Sequence, residues 1–317
     1  MAHESERTGP IWRNTLKHEE ENWLDDAEVD GVDSRGRAIP TPRRKVRRKP
    51  KSRRTAGELL AENAEGKASD EAVFADPDLE GLRKRGHIDE LVGQVKGGKE
   101  ATVYLMRRGD ELLAAKVYAD LESRSFRNDA AYWSGVHIAD KRVERAIRSH
   151  SRTGRAAQHG IWVMREYANL WRLHEAGVPV PKPLIGPSAK ECAEAGAVVL
   201  MEFIGEGELP APRLSDVKLE PEEARPLLDQ SIEILMQLAR LGLVHGDFSA
   251  YNLLLHDGRV VLIDVPQILD VRSAETEAVQ LLKRDVASLL SSFRRHRVEV
   301  DAAALERAAV AELKSRA

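Results

Sequence analysis

Leu243-Val244-His245-Gly246-Asp247-Phe248-Ser249-Ala250-Tyr251-Asn252-Leu253-Leu254-Leu255-His256-Asp257-Gly258-Arg259-Val260-Val261-Leu262-Ile263-Asp264 decides how this chain is read. At its centre Asp257-Gly258 lies between two apolar runs, a dipeptide that favours a tight hairpin because both positions tolerate positive φ. Strands are expected over 252–255 and 259–264, after a short strand over 243–245. Three oxygen-bearing side chains then share one hairpin. Asp247 is suited to accept a proton from an attacking hydroxyl or to orient it. Asn252 supplies a neutral amide oxygen and Asp264 a charged one, a pair suited to a magnesium ion that nucleotide phosphates already help to neutralise. Asp247 and Asp264 are thus the candidate catalytic residues, and Asn252 with Asp264 the candidate metal ligands. Aspartates also close turns at strand ends. The joint occurrence of His-Gly-Asp, an asparagine five residues after that aspartate and a returning strand ending in Ile-Asp favours chemistry. His245 reads as a structural residue of the loop, because a phosphoryl-transfer reaction gives proton acceptance to the aspartate.

Working outward, Val92, Val95, Val103 and Leu105 alternate with other residues in the manner of strands, and order is expected to begin near Ile88. Gly97-Gly98 and Arg108-Gly109-Asp110 are turn signals, so three strands would form an antiparallel meander whose last member, 111–118, carries Lys116. A charge-rich insertion is expected near 119–159. Ile161, Met164, Ala168 and Trp171 then recur at helical spacing, with Gly177 at the C-terminal cap and Pro179, Pro181 and Pro183 preventing continuation. An apolar run at 197–204 reads as a buried strand, followed by a Gly- and Pro-rich connector at 205–212 that suits a hinge. Beyond it a helix is expected over 222–241 and a helical region from 275 to the end.

Residues 1–80 differ in composition. They read as a flexible charged arm, with an acidic block at 19–33 and a basic run from Arg43 to Arg54. The run suits RNA phosphates; the other reading is a solvated tail paired loosely with the acidic block, since no aromatic residue interleaves to stack on bases. A net charge of -3 over 317 residues means that any such signal is local. The single cysteine, Cys192, excludes an intrachain disulfide and a multi-cysteine zinc site, and fits a reducing compartment. No apolar stretch approaches the roughly 20 residues that span a bilayer, so a cytoplasmic protein without membrane contact is expected.

The hairpin segment is similar to the catalytic segment of the RIO kinases, atypical serine/threonine protein kinases. Gly97-Gly98-Lys99-Glu100-Ala101-Thr102-Val103-Tyr104 resembles the short phosphate loop of that family, which reads Ser-Thr-Gly-Lys-Glu-Ala-x-Val-Tyr. Ala114-Ala115-Lys116-Val117-Tyr118 resembles its nucleotide-lysine strand, and Trp162 to Leu170 its helix, with Glu166 as the lysine-pairing glutamate. Met201-Glu202-Phe203-Ile204 looks like the hinge that binds adenine through backbone groups. Leu209-Pro210-Ala211-Pro212 and the insertion containing Phe126 to Gly135 favour the type-one RIO branch. The resemblance covers roughly 85–300. It implies an α+β, two-lobed protein-kinase-like fold: a β-rich N-terminal lobe over 81–204 and a reduced, mostly helical C-terminal lobe over 205–317. It also implies ATP and magnesium as cofactors, with Gly97, Gly98, Lys99, Glu100, Val103, Lys116, Glu166, Met201, Glu202 and Ile204 at the nucleotide. A protein substrate is implied but not identified. RNA or ribosomal-subunit contact would fall to the arm from Arg43 to Arg54, because the family is associated with ribosomal-subunit maturation. Its metal-binding aspartate can itself receive the phosphoryl group, a role that would fall to Asp264.

The sequence also departs from the pattern. Gly97 replaces a hydroxyl residue, the usual His-Ala-Asp-Leu-Ser-Glu-Tyr-Asn reads His245-Gly246-Asp247-Phe248-Ser249-Ala250-Tyr251-Asn252, and Pro266 removes a backbone donor after Asp264. Small-molecule phosphotransferases of the aminoglycoside or choline type share the hairpin motif. The loop at Gly97 to Tyr104, Val265-Pro266-Gln267, and the mere fifty or so residues after Asp264 weigh against that class. A nucleotide-binding RNA or ribosome scaffold with little turnover is a further alternative, against which the intact Lys116, Asp247, Asn252 and Asp264 speak. Asp285 reads equally as an anchor of the catalytic loop and as a helix-surface residue.

Overall fold

The computed structural model describes residues 53–54, 73–74, 76–98, 101–118, positions 141, 145, 147 and 149, and 152–317. Helix α1, Pro77–Lys84, lies ahead of the expected onset of order near Ile88. Its Asp76 cap accepts the N–H groups of Asp78 and Leu79 at 2.9 and 3.0 Å. Proline at the first helical position needs no hydrogen-bond partner for a missing N–H, which is why Asp-Pro starts a helix even in polar sequence. Leu79 and Leu82 are its buried anchors.

Strands β1 (Glu90–Gly97), β2 (Ala101–Arg108) and β3 (Glu111–Tyr118) form the expected meander. β2 and β3 pair without a break from Ala101 opposite Tyr118 to Arg108 opposite Glu111. Helix α2 spans Arg152–Glu175, so it starts earlier than the sequence suggests, inside the stretch read as insertion. It ends at Gly177, whose φ of 75° is the left-handed cap that glycine adopts freely. After the short helix α3 (Ala189–Glu194), strand β4 (Val198–Glu202) completes an antiparallel sheet in the order β1-β2-β3-β4. Tyr167 fastens α2 to the sheet: its hydroxyl donates to Val198 O at 3.0 Å and accepts from Leu200 N at 2.8 Å.

The second lobe begins after the connector. Helix α4 (Pro221–Arg240) leads into strand β5 (Leu243–Val244), strands β6 (Leu253–His256) and β7 (Arg259–Leu262), and strand β8 (Leu269–Asp270), which pairs with β5. Asp257 and Gly258 have φ of 49° and 71°, as the tight turn between β6 and β7 requires. The first of these strands is shifted one residue along from its expected place and the second ends two residues short, so Asn252 and Asp264 stand just beyond the hairpin's open end. The N–H of Ile263 still donates to Asn252 O at 3.0 Å, keeping the two residues close.

Helices α5 (Glu275–Phe293) and α6 (Ala302–Lys314) replace the single helical region expected at the end. The chain turns at Arg297, φ 56°. Just before it, Arg295 donates to Leu214 O at 2.8 Å and His296 Nδ1 lies 3.0 Å from Leu219 O, tying the end of α5 to the segment before α4. Leu228 and Leu235 of α4, Leu282 and Leu289 of α5, and Leu313 of α6 are buried together in the core. The result is an α+β, two-lobed, kinase-like arrangement with a cleft between its lobes.

Candidate active site

Alternation along β3 puts Lys116 and Tyr118 on one face, turned toward α2. Lys116 Nζ lies 2.7 Å from Glu166 Oε1 and 2.8 Å from Asp264 Oδ1, joining the sheet, α2 and the segment after β7. Tyr118 donates its hydroxyl to the other oxygen of Glu166, and its ring centroid lies 5.1 Å from Lys116 Nζ. Burial pushes the Tyr118 phenol well up, with the Glu166 charge adding to it, so the phenol stays a donor. Burial works against the Lys116 charge, but Glu166 and the other anionic partners outweigh it and hold the ammonium. Burial raises the Glu166 carboxyl, and Lys116 only partly offsets this. Burial also opposes ionisation of Asp264, yet the Lys116 ammonium prevails and keeps this carboxyl below its ordinary range.

Asp264 adopts φ 65°, a conformation that costs a non-glycine residue on the order of 1 kcal/mol or more and marks functional sites. Its surroundings hold it there from α2. Asn169 Nδ2 donates to Val265 O at 2.7 Å, Arg165 to Ile268 O at 3.0 Å, and Arg172 to Leu241 O at 3.2 Å. Arg172 also meets the Asp270 carboxylate at 3.1 Å. These three side chains recur at helical spacing and fasten one face of α2 to the second lobe.

The loop from His245 to Asn252 is supported from α5. The buried Asp285 accepts Gly246 N at 2.8 Å and Phe248 N at 2.9 Å, which makes it the loop anchor rather than a surface residue. Gly246 has φ 85°, so a side chain there would be strained even though space exists. His245 is buried and accepts the N–H of Asp247 at 3.3 Å. Asn252 Nδ2 donates to the backbone oxygen of Asp247 at 2.9 Å and to its carboxylate at 3.0 Å. The Asp247 side chain is otherwise exposed.

A cleft of about 490 Å³ lies between the lobes. It brings together Gly98, Val103, Lys116, Glu166, Met201, Glu202, Ile204 and Asp264 of the sequence-derived set. Gly97, Asp247 and Asn252 do not line it, and Lys99 and Glu100 fall outside the described residues. So does the basic run from Arg43, apart from Arg53 and Arg54, which pair with Val73 and Phe74. Tyr118, Lys96 and Arg213 also line the cleft and were missed. Tyr118 could have been found, two residues after Lys116 on the same strand face. Among the described residues no three His, Cys, Asp or Glu side chains group as a metal site. The available donors are the Asp264 carboxylate, kept ionised, and the Asn252 amide, a hard-oxygen pair that fits magnesium when phosphate oxygens complete the shell. Among the described residues no helix is long and apolar enough to cross a membrane.

A family model described as RIO domain matches residues 102–305. The chain is 36% identical over 234 residues to the RIO-type serine/threonine-protein kinase Rio1 of Haloferax volcanii, covering 73% of this chain and 72% of that one. It is 34% identical over 214 residues to RIO-type serine/threonine-protein kinase Rio1 of Methanocaldococcus jannaschii, 67% of this chain and 66% of that one. Against human serine/threonine-protein kinase RIO1 it is 33% identical over 218 residues, 68% of this chain but 35% of the human protein.

Proposed function

The chain belongs to the RIO family of serine/threonine protein kinases, on its type-one side, and from that premise we propose that it transfers the γ-phosphoryl group of ATP in the cleft between its lobes. The observation that carries this reading is Lys116, held between Glu166 and Asp264 on a cleft wall. A lysine fixed from both sides acts as a point charge for the α- and β-phosphates. Gly97, Gly98, Lys99 and Glu100 form the phosphate loop, where small residues let backbone amides approach closely. Val103 packs against adenine, and backbone groups at Met201, Glu202 and Ile204 bind its edge. Asp247 accepts the proton of the attacking hydroxyl or orients it, with Asn252 holding its carboxylate by the 3.0 Å hydrogen bond. Asn252 and Asp264 would hold magnesium. When bound, the ion neutralises phosphate charge.

Asp264 has a second proposed role, as acceptor. One of its carboxylate oxygens forms a bond to the γ-phosphorus while the bond from that phosphorus to the bridging oxygen breaks, and ADP leaves with the electron pair. Water later attacks the phosphorus, releasing inorganic phosphate and restoring the carboxylate. Such a cycle makes the protein an ATPase switch, in keeping with ribosome-related work in the cytoplasm and with RNA contact through the arm from Arg43 to Arg54. Mass spectrometry of the full chain after incubation with ATP and magnesium tests this against Asp247→Ala and Asp264→Asn. A hydroxylamine-labile phosphoryl group present in the wild type and absent from Asp264→Asn is expected. A hydroxylamine-resistant group retained in full by Asp264→Asn overturns the aspartyl-phosphate, and turnover only with an aminoglycoside or choline overturns the protein-kinase reading.

A further inference from the structure

Three cationic side chains among the described residues line the cleft: Lys96, Lys116 and Arg213. Lys116 is already compensated by two carboxylates at 2.7 and 2.8 Å. Four carboxylates share the same walls, those of Glu166, Glu202, Asp216 and Asp264. Without Lys96 and Arg213 a polyphosphate entering this cleft would meet four carboxylates against the single ammonium of Lys116; with them the walls carry three cations against four carboxylates, which lowers the repulsion of further negative charge.

Both residues are available. Neither side chain makes a hydrogen bond or salt bridge among the described residues, although Arg213 is half-buried. They come from opposite lobes. Lys96 sits on β1, opposite Val103 of β2, and Arg213 follows Pro212 at the end of the connector, its backbone bridged to Leu254 of β6. Partial burial, and next the Arg213 guanidinium, draw the Lys96 ammonium down from its ordinary value, and the Asp216 and Asp264 carboxylates only partly offset this, so the two cations feel each other across the opening. An anion between them relieves that repulsion. The phosphate-loop pattern Ser-Thr-Gly-Lys-Glu-Ala, aligned on Gly98-Lys99-Glu100-Ala101, has serine where this chain has Lys96. Here a charge replaces a hydroxyl, next to the position where Gly97 removes another.

We propose that Lys96 and Arg213 form an anion clamp, one jaw on each lobe, that closes on the polyphosphate of the bound nucleotide. The proposal rests on the reading of the cleft as an ATP site. Equilibrium titrations of the full chain with ATP, ADP and adenosine test it, using wild type, Lys96→Ser, Arg213→Gln, the double variant and the charge-preserving Lys96→Arg and Arg213→Lys. The double variant is expected to bind ATP about tenfold more weakly or worse, the loss of charge-assisted hydrogen bonds. ADP should lose less, adenosine should stay within about twofold, and the charge-preserving variants should keep most of the affinity. Unchanged ATP affinity in the double variant overturns the clamp. Equal losses for ATP and adenosine also overturn it, because they mark a structural role. A wild type that binds none of the three overturns the ATP-site reading and the clamp with it, and this shows before any variant is made.

Discussion

The Asp285 carboxylate accepts the backbone N–H of Phe248 at 2.9 Å, joining α5 to the loop from His245 to Asn252 across 37 residues of sequence. Its second oxygen takes the N–H of Gly246 at 2.8 Å, so one buried side chain satisfies two donors on either side of Asp247. Asp285→Ala leaves both donors unpaired and should destabilise the fold by about 1–3 kcal/mol for each. Asp285→Asn keeps one acceptor and should cost less. Urea unfolding measures the difference; equal stability of Asp285→Ala and wild type would show that the loop does not depend on this anchor.

Asn169 is the corresponding fastening from α2. Asn169→Ala strips Val265 O of its 2.7 Å donor, leaving it only the longer contact from Ile268 N at 3.4 Å, and should cost about 0.5–1.5 kcal/mol. Asn169→Asp should be at least as damaging, since it turns a carboxylate oxygen toward a carbonyl. Thermal unfolding of both variants checks this, and an unmoved midpoint in Asn169→Asp would contradict it.

Short-range features were legible in the sequence because the chain announces them locally. Alternating Val92, Val95, Val103 and Leu105 marked the meander, Asp257-Gly258 its own turn, and Gly177 the end of α2. The same holds for Lys116, Asp264 and the hairpin. Helix α1 was missed because its start signal, Asp76-Pro77, stands in polar sequence with only Leu79 and Leu82 as anchors. The break at Arg297 carries neither glycine nor proline, and the contacts that bend the chain there reach back to Leu214 and Leu219, some eighty residues away. Arg165, Asn169 and Arg172 were visible as polar residues at helical spacing. Their partners are mostly backbone carbonyls of the other lobe, which no side-chain pattern encodes.

The pair between Lys116 and Asp264 sets a pH dependence. Because the folded Asp264 carboxyl lies below its ordinary 3.8, its contribution to stability is complete above that pH and is lost as pH falls through the folded value. Glu166, whose carboxyl is raised, contributes the opposite slope, so the comparison must be between variants. Asp264→Asn should be less sensitive than wild type to acid below about pH 4. Parallel acid-unfolding curves for the two proteins would contradict the pairing.

Burial pushes the Cys192 thiol up to about 12. The folded chain holds this proton beyond the pH at which the unfolded thiol ionises near 9.0, so the associated stability is full below pH 9 and is lost as pH rises toward 12. At pH 8 the native thiol should react with an aromatic disulfide reagent orders of magnitude more slowly than the urea-unfolded chain, since only thiolate reacts. Equal rates would place Cys192 in contact with solvent.

Release of radiolabelled phosphate from ATP, measured in single turnover with magnesium for wild type, Lys116→Ala and Glu166→Gln, bears most directly on the site. Lys116 held between Glu166 and Asp264 is the phosphate anchor in this account. Lys116→Ala should therefore lose turnover by roughly a hundredfold or more, and Glu166→Gln by a smaller factor, because glutamine still accepts from Lys116 but carries no charge. Turnover by Lys116→Ala at the wild-type rate would contradict it.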